Sequence, residues 1–455
     1  MSRAANLITG PVGSRLLRMS GPMLMGLVAI MAFNLVDTFF LGRYGADELA
    51  AVSFTFPVVM TLGSVALGLG MGVTAVVSNA IGEGDAHRVA RLTTDSLVLA
   101  VLVVVVFAGV GLLTVRPLFA AMGAEGHILD LVVRYMRIWY LSVGLVVIPM
   151  VGNSAIRATG DTRTPGLVMV VAGLTNAVGD PLLIFGLGPF PELGIEGAAI
   201  ATAVSRAITL VAALYVLGIR DRMISRERPT TAEGLANWRR VLHVGVPAAG
   251  TRMVMPVGVG VVTRMVAGFG PAAVAAFGVG SRVGMLVFAV IMALGAALVP
   301  FVGQNLGARR PDRVRRAAWF SVRFGVGYGL VLWVLMFVAA RPLAGLFSDH
   351  ADVVDAAALY FRIVPLGMVF AAILALTGTV LNGMLMPLRA ALLSALQMFG
   401  LYVPLALLGA RWFALPGIYW ASVAAYVVAG MLSLVVMRRA LAGIGDPAPT
   451  AGPPA

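Results

Sequence analysis

Long apolar runs separated by short polar segments recur along the whole chain. The runs at 97–115 and 325–340 approach or reach the length that an α-helix needs to cross a bilayer about 30 Å thick. Hydropathy and the positions of helix breakers predict twelve such helices, and no separate soluble domain fits between them. The predicted spans are 16–42, 50–79, 93–114, 131–154, 164–187, 194–218, 240–267, 273–302, 318–339, 356–381, 388–408 and 416–437.

The composition supports this pattern. Hydrophobic residues make up 60% of the 455 residues and charged residues 12%, whereas a soluble domain usually carries about 25% charged residues. The first apolar stretch, 20–41, is too long for a signal-peptide core and has no cleavage motif after it, so we expect it to be a retained helix. The chain is predicted to be an all-α integral membrane protein.

The net charge of +13 helps to predict the membrane topology and does not indicate nucleic acid as a partner. All 33 basic residues are Arg, and they concentrate in alternate short loops. Because basic residues accumulate in cytoplasmic loops, we expect both termini to be cytoplasmic in a multi-pass protein of the plasma (inner) membrane. Cysteine is absent and only four His are present, so we expect no disulfide, metalloenzyme centre or resident cofactor.

An internal repeat relates the two halves of the chain at an offset of 225 residues. The triplet Arg-Pro-Leu at 116–118 recurs at 341–343, and Tyr-x-Arg-Ile at 135–138 recurs at 360–363. We therefore predict two six-helix lobes related by a pseudo-two-fold axis along the membrane normal. The predicted segments are an N-terminal lobe 1–219, a cytoplasmic linker 220–239, a C-terminal lobe 240–440 and a disordered tail 441–455.

The repeat also distinguishes residues that both halves share, which we interpret as scaffold, from polar residues present in one half only, which are functional candidates. Four polar residues of the first half have apolar counterparts in the second, and acids lie well inside the predicted membrane region only in the first half. The pairs are Asp37 with Val262 at the offset of 225 and, after a slip of the offset to 223, Asp180 with Val403, Asn176 with Phe399, and Thr202 with Ala425.

These residues can form one polar pocket. Asn34 and Asp37 are three positions apart and Asn176 and Asp180 four apart, so each pair shares a helix face. An ionised carboxylate inside a membrane is expensive and usually marks a functional pathway. Two neighbouring buried carboxylates can take up a proton or hold a cation, which is the chemistry of antiport. The alternative is that these groups, Thr202 above all, only cap and link helices.

Pro22 could kink the first helix below the acids and act as a gating element. The repeat-related Pro247 has no acid above it, so the kink is alternatively a feature of the scaffold.

Several motifs together resemble the multidrug and toxic compound extrusion (MATE) family, particularly its DinF-like branch, over roughly residues 15–437. The matching segments are Asn-x-x-Asp-Thr at 34–38, Asn153 with Arg-x-x-Gly-Asp-Thr-x-Thr-Pro at 157–165, Asn-x-x-x-Asp-Pro at 176–181, Gly-Ala-Ala-Ile-Ala-Thr at 197–202 and Gly-Gln-Asn-x-Gly at 303–307.

The resemblance implies a V-shaped twelve-helix exporter of amphipathic, cationic drugs or metabolites, driven by H⁺ or by Na⁺. It implies a proton or cation site at Asp37, Asn176, Asp180 and Thr202, where Na⁺ is the alternative ion, and substrate contacts at Asn34 and Asn153. We expect a monomer that binds membrane lipid and a small-molecule substrate and is not an enzyme.

Two deep arginines, Arg206 and Arg252, depart from this expectation because an intramembrane cation needs a partner or water. They favour a water-filled cavity, or else anionic cargo such as that of lipid-linked oligosaccharide flippases, which share the broad architecture. The loop 82–88 lacks the major-facilitator signature, and the acidic loop 349–355 is interpreted as a solvated outer loop rather than an enzyme site.

Overall fold

A computed structural model describes residues 7–227 and 230–445, apart from the side chains of Asn34 and Leu35. All regular secondary structure in this part of the chain is helical. The helices are α1 (Val12–Tyr44), α2 (Ala46–Glu83), α3 (Ala86–Ala121), α4 (Gly126–Ser142), α5 (Gly144–Ala158), α6 (Arg163–Ile184), α7 (Gly194–Tyr215), α8 (Thr231–Ala267), α9 (Pro271–Gly307), α10 (Pro311–Val338), α11 (Ala340–Gly345), α12 (Ala351–Gly383), α13 (Pro387–Ala395) and α14 (Val403–Ala442). Two π-helical turns, Val216–Arg220 and Leu396–Tyr402, follow α7 and α13.

The helices confirm an all-helical multi-span membrane protein. Ten helices of the described chain are long and apolar enough to cross a bilayer, and α4 with α5, bent by 41°, adds an eleventh. Large apolar side chains such as Leu113, Leu141 and Val338, which are 85%, 77% and 76% exposed, lie on the outside of these helices. Such a surface requires lipid around it, because a soluble monomer exposes apolar patches of only a few hundred Å².

A chain reversal divides the longest run, Pro387–Ala442, which has 56 residues. A straight helix of that length would extend about 84 Å, far more than a bilayer. Ala414 has φ 51° and ψ −140°, which is not helical. Gly409 and Gly417 would lie about 12 Å apart along a straight helix, yet a Cβ placed on Gly409 would be 3.2 Å from Gly417 Cα. The run is therefore two antiparallel spans, and the described helices provide the twelve that the sequence predicts.

The Gly409–Gly417 contact predicts a stability effect. A Cβ at position 417 would overlap the backbone of Gly409, which cannot move as a flexible side chain can. Gly417→Ala should therefore lower the free energy of unfolding by about 1–3 kcal/mol, measured as a lower melting temperature of the purified protein in detergent. Gly327→Ala is the matched control, because nothing lies within 4 Å of a Cβ there. Equal melting temperatures for the two variants would contradict the contact.

The chain forms two compact units, and the first residues of α1 and of α8 belong to a different unit from the rest of the same helix. Unit 1 contains Gly21–Val246, and unit 2 contains Leu7–Ser20 together with the chain from Pro247 onward. The units thus divide α1 beside Pro22 and α8 at Pro247, which are the two repeat-related prolines. The lobe boundaries predicted at 219 and 240 stay a prediction, and residues 446–455 of the predicted disordered tail lie outside the described residues.

The N-terminal segment of unit 2 is held by buried polar side chains of α9 and α10. Asn305, which is fully buried, donates to Leu7 O at 3.2 Å and accepts from Arg313 Nε at 2.8 Å. Arg313 also donates to the carbonyl oxygens of Leu7, Thr9 and Gly10 at 2.8–3.0 Å. The motif at 303–307 thus anchors the chain start, because buried backbone carbonyls need donors.

Most helices extend beyond the predicted spans, and two of the differences have a clear structural basis. The span 131–154 is two helices, α4 and α5, that meet at Val143. Helix α8 begins at Thr231, within the predicted linker 220–239. Thr230 Oγ1 accepts from Glu233 N and Glu233 Oε2 accepts from Thr230 N, both at 3.3 Å. This capping box satisfies two otherwise free backbone donors and starts the helix earlier than hydropathy alone indicates.

Candidate functional site

Small residues bring α1, α6 and α7 of unit 1 close together. A Cβ on Gly173 would be 3.6 Å from Ala29 O of α1, and one on Gly179 would be 3.3 Å from Ala201 Cβ of α7. At Gly166, α6 approaches the backbone of Pro22 so closely that a larger residue would not fit. The glycines of α6 therefore allow side chains from three helices to meet at one place.

Asn176, Asp180 and Thr202 form the centre of this contact. Asn176 and Asp180 are fully buried, one turn apart on α6. Asn176 Nδ2 donates to Thr202 Oγ1 of α7 at 3.3 Å. Neither carboxylate oxygen of Asp180 has a hydrogen-bond partner of normal geometry among the described residues. A buried carboxyl without such partners is expensive as an anion, so this site favours binding of a proton or a cation.

Asp37 of α1 completes the cluster. Its side chain is half-buried, and its Oδ1 atom is enclosed with no hydrogen-bond partner in the described chain. The charges of Asp37 and Asp180 lie close enough to interact, and the buried Tyr135 of α4 lies within electrostatic range of both. No group of three or more His, Cys, Asp or Glu side chains in the described chain could hold a metal ion.

The sequence did not identify Tyr135 as a site residue. Its Tyr-x-Arg-Ile motif recurs in the second half, which indicated a scaffold role. Its side chain comes within electrostatic range of the acids because α4 packs against α7.

Three other predicted site residues are placed differently. Asn153 of α5 is buried, and its Oδ1 atom has no partner in the described chain. It lies about 7 Å from the end of α5, whereas Asn176 lies about 20 Å from the adjoining start of α6, so no described contact joins Asn153 to the acidic cluster. Pro22 lies inside the continuous helix α1. Asn34 is outside the residues whose side chains the structure describes.

A second layer, one helical turn away, contains a cation. Arg206 follows Thr202 by four residues on α7, and its guanidinium carbon lies 5.6 Å from the ring centre of Phe33, which precedes Asp37 by four residues on α1. Arg206, Phe33 and Met169 line a small cavity between the three helices. Arg206 Nε is enclosed and has no hydrogen-bond partner among the described residues. The cavity of about 10 Å³ has room for about one water molecule, so a larger anion would contact this half-buried guanidinium only at its exposed part.

The corresponding interior of unit 2 is apolar. Val262 and Ala425, the counterparts of Asp37 and Thr202, are fully buried in one hydrophobic cluster. Tyr360, the counterpart of Tyr135, packs there against Tyr419 with ring centres 5.2 Å apart. The apolar counterparts of the acidic cluster are thus packed as hydrophobic core in unit 2.

The motif at 157–165 has a structural role. Asp161 accepts from the backbone N–H of Thr164 at 3.0 Å and from its hydroxyl at 2.5 Å. Arg220 forms an ion pair with Asp161 at 2.7 Å, which joins the start of α6 to the end of α7. Burial acts to raise the pKa of the Asp161 carboxyl, but the Thr164 hydrogen bonds and Arg220 outweigh burial and lower that pKa below its usual value. This carboxyl therefore stays ionised and is unsuited to proton exchange near neutral pH.

Comparison with known proteins identifies the family. The sequence model of the MatE family matches residues 22–182 and again residues 247–408, and the two matches begin 225 residues apart. The chain belongs to the MatE family. As a MATE-family protein it is a multi-pass transporter of small molecules and not an enzyme, and the repeat is the family's own duplication.

Several relatives align with most of the chain. A FAD transporter of Shewanella oneidensis is 38% identical over 403 residues, or 89% of each chain. A probable multidrug resistance protein NorM of Thermotoga maritima is 27% identical and covers 94% of this chain and 91% of its own. The Vibrio cholerae MATE transporter VcmN in the bent form superposes with a TM-score of 0.90 at 29% identity, over 98% of this chain and 99% of that one.

Proposed function

We propose that this MATE-family transporter exports an anionic, aromatic dinucleotide of the flavin type in exchange for H⁺. The observation that carries the cargo is Arg206, which is half-buried, has no acidic partner in the described chain and lies over Phe33. A guanidinium binds phosphate through paired hydrogen bonds, and an aromatic ring stacks on a flavin or adenine. The 38% identity to a FAD transporter supports the same class of cargo.

The coupling ion binds at Asp37 and Asp180 in this proposal. Two buried carboxyls whose charges interact cannot both be ionised cheaply, so one of them takes up a proton when the pocket opens to the more acidic side. Asn176 and Thr202 orient the pair, and with the acids they offer the oxygen ligands that Na⁺ would need as the alternative ion. We also propose a DinF-like member of the family with both termini in the cytoplasm, which the sequence motifs and the concentration of Arg in alternate loops support.

Export of amphipathic cations is the second candidate, because the same buried carboxyls would attract a cationic drug. The NorM relative of Thermotoga maritima supports it. Transport of a lipid-linked oligosaccharide, the remaining alternative, would use Arg206 for a phosphate in the lipid linkage.

The test uses the full chain in liposomes with an imposed pH gradient. FAD fluorescence and the fluorescence of a cationic dye such as ethidium are followed in parallel, with protein-free liposomes as the control. We expect the gradient to drive FAD movement and collapse of the gradient with a protonophore to stop it. Movement of ethidium without FAD would replace the proposed cargo by cations. Movement of neither, with flux of a lipid-linked sugar, would favour the flippase alternative.

A further inference from the structure

A cavity of about 430 Å³ is lined by residues of unit 2. Val12 and Gly13 at the start of α1 form one wall, and the first turns of α10 form the other. The α10 wall contains three arginines and two aromatic residues. The proposed transport cycle uses none of these residues. We call this cavity and its α10 wall the arginine–tryptophan pocket.

The wall of the pocket is positively charged. Arg316 reaches Asp312 only at 4.0 Å, and that carboxylate also pairs with Arg310 at 3.3 Å. Arg323 is exposed and forms no ion pair among the described residues. Arg438 of α14 places its guanidinium 5.3 Å from the ring centre of Trp319. Positive charge therefore exceeds the carboxylate available to neutralise it, and the pocket is complementary to an anion.

The pocket lies at the depth of a membrane interface. Arg316, Trp319 and Arg323 follow one another at i, i+3 and i+7, so they share one face of α10. Helix α10 has 28 residues and is about 42 Å long, which leaves roughly 6 Å at each end outside a hydrocarbon core of about 30 Å. Arg316, about 7.5 Å from the start of α10, then lies near the boundary between headgroups and acyl chains, and Trp319 lies about one turn deeper, on the acyl-chain side of the interfacial region where Trp is enriched. Arg323 lies deeper, where an exposed guanidinium needs an anionic partner.

The repeat shows that the scaffold does not require this pocket. The unit 1 counterparts of Arg316, Trp319 and Arg323 are Arg91, Thr94 and Val98. Arg91 is buried, pairs with its own helix neighbour Asp95 at 3.3 Å and donates to a backbone carbonyl of the linker. The first half thus satisfies its arginine internally, whereas the second half adds an arginine and a tryptophan and leaves them accessible.

We propose that the arginine–tryptophan pocket binds the phosphodiester headgroup of an anionic glycerophospholipid, of the phosphatidylglycerol or cardiolipin class. Arg316 and Arg323 bind the phosphate oxygens with hydrogen bonds that a zwitterionic lipid satisfies less well, because its own ammonium competes. Trp319, held by Arg438, packs against the glycerol, and Phe320 borders the acyl chains. The volume suits a headgroup-sized ligand.

Native mass spectrometry of the purified full chain tests this site. The protein is incubated with phosphatidylglycerol or with phosphatidylcholine, and retained lipid is measured for wild type and for the double variant Arg316→Gln with Arg323→Gln. Each arginine near the surface contributes about fivefold to anionic-lipid binding, so the double variant should retain phosphatidylglycerol roughly 30-fold less well. Phosphatidylcholine retention should stay unchanged.

The matched control removes two exposed arginines from other helix starts, Arg163→Gln with Arg389→Gln, and should retain phosphatidylglycerol like wild type. Equal loss in both double variants would overturn the pocket and indicate attraction by net charge alone. Millimolar inorganic phosphate is added in a further arm, and displacement of the lipid by it would overturn the lipid as occupant. If the double variant is not recovered folded, Arg438→Gln is used in its place. It should retain phosphatidylglycerol about fivefold less well than wild type, and unchanged retention would contradict the proposal.

Discussion

Asp180→Asn is expected to reduce pH-driven FAD transport to the level of liposomes without protein. The amide has the size of the carboxyl but carries no exchangeable proton, so a proton gradient can no longer drive the conformational cycle. Asp180 is fully buried and its carboxylate oxygens have no hydrogen-bond partner in the described chain, so the change removes chemistry without breaking a described bond. Asp37→Asn should act in the same direction, because the charges of the two acids interact.

A second measurement separates coupling from folding. Exchange of radiolabelled FAD at equal pH on both sides should persist in Asp180→Asn, since exchange needs no net proton movement. Asp349→Asn, the same substitution at an exposed acid before α12, serves as the control and should transport like wild type. Full gradient-driven transport by both Asp37→Asn and Asp180→Asn would show that these carboxyls do not couple transport.

Arg206→Gln should lower the apparent affinity for FAD by about 10- to 100-fold, because hydrogen bonds to charged groups contribute about 1.5–3 kcal/mol. The glutamine keeps a polar side chain in the cavity beside Phe33 but cannot neutralise a phosphate. Arg206→Lys should recover part of the affinity, since a lysine supplies the charge without the paired hydrogen bonds. The measurement is the FAD concentration dependence of transport in liposomes.

Ethidium transport and Arg264→Gln, at an exposed position near the end of α8, are the controls for Arg206. Neither the cation flux of Arg206→Gln nor the FAD affinity of Arg264→Gln should fall. Unchanged FAD affinity in Arg206→Gln would exclude this arginine as the phosphate contact and would weaken the case for anionic cargo.

Hydropathy and the repeat predicted the spans, and the short motifs predicted the family, because these signals depend on local composition and fixed spacing. The acidic cluster could be predicted for the same reason, since Asp180 occupies a position at which the other half has Val403. The sequence predicted one polar pocket that includes Asn176 and Thr202, and in the structure the two side chains form a hydrogen bond. These features need no knowledge of how distant segments meet.

Other features depend on long-range contacts that periodicity does not encode. The sequence did not reveal that Asn305 and Arg313 hold the chain start, although the motif at 303–307 was recognised. It did not place Phe33 beneath Arg206, because the two residues lie on helices far apart in sequence. The early start of α8 was predictable in principle, since Thr230 and Glu233 have the spacing of a capping box.

The anchoring of the chain start has a consequence for biosynthesis. Leu7 and its donor Arg313 are 306 residues apart, so at about 5–20 residues per second the ribosome needs roughly 15–60 s to supply that donor. Unit 2 is therefore completed by a segment that is made long before its donor, and its closure is a late event. A C-terminal fragment cut within the linker would leave Arg313 without the carbonyl acceptors of Leu7, Thr9 and Gly10, whereas adding a peptide of residues 7–20 should restore them.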